Sequence, residues 1–158
     1  MEVHAMHIAN GIVNGPVSAV FAVFAALALT FCVWRARADL DDKLAPMAGL
    51  VAAFIFAVQM LNFPVAGGTS GHLLGGLLAA VLVGPYTGAL CVPVVLSVQA
   101  LFADGGLTAL GLNVVNMALI GAFAGYGVFL LARKLLPATR HGVATAAGVA
   151  ALASVVLA

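Results

Sequence analysis

The sequence predicts an all-α membrane protein, a polytopic bundle of about six hydrophobic segments. Of its 158 residues, 65% are hydrophobic and only 7% are charged, whereas roughly a quarter of the residues in a soluble domain are charged. The apolar residues also fall into runs that approach the ~20 residues needed to cross a bilayer. These observations exclude a soluble globular protein. The formal net charge of +1 offers no basic surface for nucleic acid, and we expect a single integral membrane domain over residues 1–158.

Short polar breaks separate the hydrophobic segments. The segments cover residues 12–34, 46–62, 72–83, 86–103, 112–132 and 142–158. The first ends at Arg35 and Arg37 instead of a small-residue cleavage site, which indicates a retained transmembrane helix and not a signal peptide. The third is short, and the Gly84-Pro85 pair after it is a strong turn signal because proline lacks a backbone donor. We therefore predict a short third helix joined to the fourth by this turn.

The positions of lysine and arginine predict the orientation, since basic loops stay on the cytoplasmic side. All six bases fall in two loops: Arg35, Arg37, Lys43, Arg133, Lys134 and Arg140. Four crossings separate the two loops, so a single topology places both of them inside. The N-terminus is then predicted to be outside.

This topology gathers polar side chains at the outer ends of the helices. All seven side-chain amides lie at or near that end: Asn10, Asn14, Gln59, Asn62, Gln99, Asn113 and Asn116. Three of the four histidines, His4, His7 and His72, are predicted there too. Amides in hydrocarbon are costly unless paired, so the cluster indicates an outward-facing polar site. The alternative is that these amides merely mark helix ends near the lipid headgroups.

Two of the histidines suggest a metal site. Imidazole is a common ligand of Zn, Cu, Fe and Ni, whereas Mg and Ca want oxygen ligands, and the outer face has few carboxylates. If Met6 is the first residue, its amine, the amide nitrogen of His7 and the His7 ring can chelate one ion, and His72 supplies a fourth nitrogen. Four nitrogens in a plane suit Ni(II), Cu(II) or Co(II). His72 is also predicted at a helix N-terminus, where the helix dipole favours the neutral ring.

The chelate requires a free amine at Met6. Residues 1–5 precede Met6 in this sequence, so we expect either that Met6 is the true start or that these residues are removed. If Met1 stands, His4 is a weaker substitute ligand.

Five stretches of sequence carry a resemblance to a known family. They are Met6-His7-Ile8 followed by Gly11, the loop from Gly68 to His72, the Gly84-Pro85 turn, Gln99-Ala100-Leu101, and the stretch from Gly105 to Asn113. Together they resemble the substrate-binding membrane (M) component of cobalt and nickel energy-coupling-factor ABC transporters, the CbiM/NikM family. The resemblance covers about residues 6–136. Members usually continue through another helix or more, so we expect either a short variant or a truncated chain.

The resemblance implies a subunit that captures Co(II) or Ni(II) outside a prokaryotic cytoplasmic membrane and hands it inward. It implies Met6, His7 and His72 as the metal ligands. The topology adds neighbouring amides as candidates for orienting those ligands: Asn10, Gln99, Asn113 and Asn116. The family works with a transmembrane coupling protein, paired ATPase subunits and sometimes a small accessory membrane protein. This chain contains no P-loop motif, so ATP hydrolysis is expected in those partners and no enzymatic activity in the chain itself.

Two other functions stay open. The stretch Gly68-Thr69-Ser70-Gly71 also matches the G-x-S-G element of rhomboid-type intramembrane proteases. The downstream histidine, His141, is however predicted at the inner face, a membrane away from Ser70, and a nucleophile must lie within hydrogen-bond reach of its base. A passive pore or structural membrane protein would use the amides to line a water path, and such a protein requires neither His7 nor His72.

Overall fold

The computed structural model describes residues 7–61, 63–64, 70–102 and 105–158, and the described chain forms a helical bundle. Its α-helices are α1 (Gly15–Ala36), α2 (Leu44–Gln59), α3 (Gly76–Val83), α4 (Pro85–Leu101), α5 (Leu110–Asn113), α6 (Tyr126–Leu135) and α7 (Arg140–Leu157). A π-helical segment, Val114–Gly125, joins α5 to α6, so that Leu110–Leu135 is one continuous helix of 26 residues. Two short β-strands, β1 (Phe63–Pro64) and β2 (Ser70–Gly71), pair antiparallel ahead of α3.

The predicted all-α bundle of six hydrophobic segments is confirmed, with small shifts at the helix ends. Three of the described helices, α1, Leu110–Leu135 and α7, are long and apolar enough to cross a membrane, and α2 and α4 are shorter apolar helices. The third helix is confirmed as short, since α3 has eight residues, which is about 12 Å at ~1.5 Å per residue. Gly84 has a φ of +85° between α3 and α4, so the predicted turn is also confirmed.

The two ends of the bundle differ in chemistry. α1 begins near His7 and ends at the bases of the first loop, where the guanidinium carbon of Arg35 lies 5.1 Å from the centre of the Tyr86 ring. Tyr86 follows the Gly84-Pro85 turn, so this turn lies at the basic end. At the opposite end, α2 finishes at Gln59, whose side chain reaches the segment before α3. Three amides bond to residues at that end: Asn113 to Ile8, Gln59 to Leu74 and Asn10 to Thr108. They therefore lie at the end away from the bases.

Asp41 lies just before α2, at the basic end. Its Oδ1 accepts hydrogen bonds from the backbone N–H groups of Leu44 at 2.7 Å and Lys43 at 2.9 Å. These two bonds favour the ionised carboxylate and lower the pKa of Asp41. The side chain thereby satisfies donors that the first turn of the helix leaves unpaired.

Glycines let α3 pack against its neighbours with backbones in contact. A Cβ at Gly88 of α4 would lie 2.5 Å from the backbone nitrogen of Ala80 in α3. A Cβ at Gly76 would meet the carbonyl oxygen of Met117 and lie 3.0 Å from the Cα of Gly121 in the π-helical segment. Small residues at such crossings are the usual means of close helix approach in membranes. The short α3 is thereby held between α4 and the π-helical segment.

The contact at Gly88 predicts a large effect from one methyl group. Gly88→Ala forces α3 and α4 apart, and we expect it to destabilise the bundle by about 1–3 kcal/mol, as overpacking does. The control is Gly127→Ala in α6, where a Cβ meets nothing within 4 Å and alanine favours the helix. Thermal unfolding in detergent should give a lower melting temperature for Gly88→Ala and an unchanged or higher one for Gly127→Ala. Equal melting temperatures for the two variants would contradict this packing.

Candidate metal centre

The two histidines predicted to bind metal lie side by side at the amide-rich end of the bundle. The ring centroids of His7 and His72 are 5.0 Å apart, and the rings meet edge to face at 65°. His7 is buried, with 8% of its surface exposed, and His72 is half-buried. Because metal–nitrogen bonds are about 2.0–2.1 Å long, ring nitrogens at this spacing can reach a single ion. Two segments that are distant in sequence therefore bring two imidazole rings together at one place.

Asn113 holds the segment that carries His7. Its Oδ1 accepts a hydrogen bond from the backbone nitrogen of Ile8 at 3.1 Å, and its Nδ2 donates one to the carbonyl oxygen of Ile8 at 3.2 Å, across 105 residues of sequence. Gly106 also donates its backbone N–H to that carbonyl oxygen at 3.0 Å. Asn113 is 4% exposed. The backbone next to His7 is therefore fixed to the start of the long helix Leu110–Leu135.

Asn10 ties the same segment to the loop before α5. Its Oδ1 accepts hydrogen bonds from the backbone nitrogen and the hydroxyl of Thr108, both at 3.0 Å. Two glycines in this loop allow the chains to touch. A Cβ at Gly106 would lie 2.5 Å from the backbone nitrogen of Asn10, and a Cβ at Gly105 would lie 3.3 Å from the Cβ of His7. The loop thus lies directly against residues 7–10.

The prediction that His72 lies at a helix N-terminus is wrong. α3 begins at Gly76, and its preceding residue Gly75 has a φ of +87°, in the left-handed region that an α-helix cannot include. Residues 72–75 are consequently non-helical, and His72 lies four positions before the first residue of α3. The Nδ1 atom of His72 instead lies 3.1 Å from the carbonyl oxygen of Leu73.

The other predicted site residues fall into three groups. Asn10 and Asn113 hold the backbone beside His7, as described above. Gln99 is fully buried, with its Nε2 atom 3.9 Å from the sulfur of Met60, and Asn116 is half-buried in the π-helical segment, so their roles in orienting ligands stay predictions. Met6 lies outside the described residues.

One outer amide has a purely structural contact. Asn14 is the N-cap of α1, and its Oδ1 accepts a hydrogen bond from the backbone nitrogen of Val17 at 3.0 Å. This bond satisfies one of the donors at the start of the helix. This contact supports the alternative interpretation for Asn14, in which the amide only marks a helix end.

Side-chain ligands alone do not complete a metal site within the described ranges. No group of three or more His, Cys, Asp or Glu side chains is found there that could hold an ion. The two cysteines are buried in α1 and α4. An ion held by His7 and His72 therefore needs further donor atoms. The sequence predicts that these are backbone and terminal nitrogens of the N-terminal segment.

The protease alternative gains no support from the described chain. Ser70 belongs to the strand β2, two residues before His72, and so lies on the amide-rich side. His141 is exposed at the first turn of α7, beside Arg140 at the basic end. A serine and a histidine so placed cannot form a nucleophile and base pair.

The described chain is an apolar helical bundle, with helices long enough to cross a membrane and two imidazoles side by side at one end. The sequence model of one family, the cobalt uptake substrate-specific transmembrane region CbiM, matches residues 7–158. The chain belongs to this family.

Named relatives and a solved structure support the membership. A crystal structure of a transition metal transporter has a TM-score of 0.84 and 32% sequence identity to this chain, covering 95% of this chain and 65% of that one. The cobalt transport protein CbiM of Sorangium cellulosum is 43% identical over 136 residues, 82% of this chain and 59% of that protein. The fused nickel transport protein NikMN of Rhodobacter capsulatus is 37% identical over 131 residues, 82% of this chain and 38% of that protein. The chain thus spans only part of the length of these relatives.

The clamp between Asn113 and Ile8 predicts how the N-terminal segment responds to substitution. Asn113→Leu removes both hydrogen bonds at a buried position, and each is worth about 1 kcal/mol. We expect amide hydrogen exchange in residues 7–13 to rise by roughly tenfold or more. The control, Asn14→Ala, removes only the cap of α1 and should raise exchange at residues 15–18 while leaving Ile8 protected. Unchanged exchange at Ile8 in Asn113→Leu would show that the clamp does not hold the segment.

Proposed function

We propose that this chain is the substrate-capture subunit of an energy-coupling-factor ABC transporter that takes up Co(II) or Ni(II). The observation that carries the proposal is the approach of the His7 and His72 rings to 5.0 Å between centroids. Membership of the cobalt uptake family supports the substrate class. A passive pore gives no reason for two imidazoles from distant segments to meet at a buried position.

The proposed ligand set consists of nitrogen atoms alone. His7 contributes its ring and its backbone amide nitrogen, His72 contributes its ring, and Met6 contributes a terminal amine once it is the first residue. An amine, an amide and a ring from two consecutive residues close two fused chelate rings on one ion. Four such nitrogens favour transition metals over Mg and Ca, which require oxygen. The set suits both cobalt and nickel, and relatives of the chain carry names for each.

The proposed site faces outward, with the N-terminus outside a prokaryotic cytoplasmic membrane. The separation of the amide-rich end from the basic loops supports this orientation, because bases stay inside. We propose as partners a transmembrane coupling protein, ATPase subunits and, in some assemblies, a small accessory membrane protein. The chain has no P-loop motif, so energy for release has to come from such a partner.

Direct titration tests the ligands. We expect the purified chain with Met6 as its N-terminal residue, established by mass spectrometry, to bind Co(II) and Ni(II) tightly. His7→Ala and His72→Ala should each weaken binding by at least about a hundredfold, the upper range for residues that merely orient ligands. His141→Ala is the matched control, since His141 is exposed at the other end of the bundle, and should bind as the parent does. Parent-like affinity in His72→Ala would refute the site.

Acidification should weaken the binding of either ion. Each imidazole must be neutral, the amine must have lost its extra proton and the amide nitrogen must give up its proton to bind, so protons compete with the metal. Titrations at a series of pH values, in buffers of different ionisation enthalpy, should show affinity falling with pH and protons released on binding. An affinity that does not change with pH would contradict a ligand set made of nitrogen atoms. A chain that starts at Met1 and binds equally tightly would remove only the terminal amine from the set.

A further inference from the structure

Gln59, the last residue of α2, is buried and bonded to the segment that carries His72. It is 0% exposed, and its Nε2 donates a hydrogen bond to the carbonyl oxygen of Leu74 at 2.9 Å. Because a carbonyl oxygen only accepts, this partner fixes which end of the amide is the donor. The other end, Oε1, is buried and has no hydrogen-bond partner within the described part of the chain.

A second contact joins α2 to the same segment one turn earlier. A Cβ at Gly75 would lie 2.6 Å from the Cγ2 atom of Ile55, so the glycine backbone rests directly on this fully buried side chain. Ile55 and Gln59 are four residues apart and therefore share a face of α2. That face contacts both Leu74 and Gly75, immediately after His72.

The donor end of Gln59 is the part of this side chain that the described contacts use. Within the described residues, its Oε1 adds no second hydrogen bond. A methionine has similar length and flexibility and would fill the same space. What methionine cannot do is donate a hydrogen bond to Leu74. The amide therefore serves to hold residues 72–75 in position.

We propose that Gln59 is a positioning residue of the metal site, which holds residues 72–75 so that the His72 ring meets the His7 ring. The proposal rests on the proposed function. The ring is coupled to this backbone, since the Nδ1 atom of His72 lies 3.1 Å from the carbonyl oxygen of Leu73. Asn113 acts in the same way on Ile8, beside His7. Each imidazole thus has its own amide, on a different helix.

The test is Gln59→Met in the full chain. We expect the Kd for Co(II) and for Ni(II) to rise about 10- to 100-fold, the range seen when groups that orient ligands are lost, and the ligand-field spectrum of bound Co(II) to shift. The melting temperature of the metal-free protein should stay within about 4 °C of the parent. The control is Ser154→Ala, which removes a buried hydrogen bond that closes within α7, onto Ala151, and should leave the Kd and spectrum unchanged. A parent-like Kd and spectrum in Gln59→Met overturn the proposal.

A double substitution separates positioning from a direct effect. If Gln59 acts only through His72, adding Gln59→Met to His72→Ala causes no further loss of affinity. A full additional loss in that background overturns the proposal. If Gln59→Met fails to fold, Gln59→Asn replaces it, because asparagine keeps the polar group and withdraws it from Leu74 by one methylene.

A measurement without metal keeps this inference distinct from the proposed function. Hydrogen exchange in the metal-free protein should rise at residues 72–75 in Gln59→Met and stay at the parent level at residues 7–13. A parent chain that binds neither Co(II) nor Ni(II) contradicts the proposed function, whereas unchanged exchange at residues 72–75 contradicts the positioning by Gln59.

Discussion

The amide-rich end of this protein is shaped by one need. Its backbone hydrogen-bonding groups must find partners without help from lipid. In hydrocarbon, helices satisfy their own backbone, but a non-helical segment must find its partners in the rest of the protein. Residues 7–13, 72–75 and 105–106 are non-helical and lie close together. Asn113 and Gly106 bond to the backbone of Ile8, and Gln59 bonds to that of Leu74. Buried amides and a neighbouring backbone donor thus supply what water would otherwise provide.

The same non-helical segments carry both histidines, and this arrangement has a chemical use. Neither ring is carried by a helix. Extended segments held by amides can bring His7 and His72 to 5.0 Å while the helices below them pack through glycine and alanine. The close contacts at Gly76 and Gly88 therefore act on the site indirectly, by fixing the helices from which the segments emerge.

Composition and charge placement predict most of the fold, because hydropathy and the positions of lysine and arginine act over whole segments. Gly84-Pro85 predicts its turn because both residues have local conformational preferences. The pairing of His7 with His72 follows from placing both at one membrane level. The start of α3 is not predictable in this way, since the left-handed conformation of Gly75 is only one of those that glycine adopts readily. The partner of each amide depends on tertiary contacts, so Asn14, Asn113 and Gln59 look equivalent in sequence although one caps a helix and two hold distant backbone.

The bonds between Ile8 and Asn113 also bear on the order in which the protein forms. They join residues 105 positions apart, and a ribosome makes the chain from its N-terminus. The segment around His7 is therefore synthesised first, but Asn113 cannot hold it until α1 to α4 have been made and the start of the long helix has emerged. A nascent chain that stops short of Asn113 carries both histidines without the side chain that holds the first of them. The clamp on the His7 segment is in this sense a late addition to a histidine that is among the first residues made.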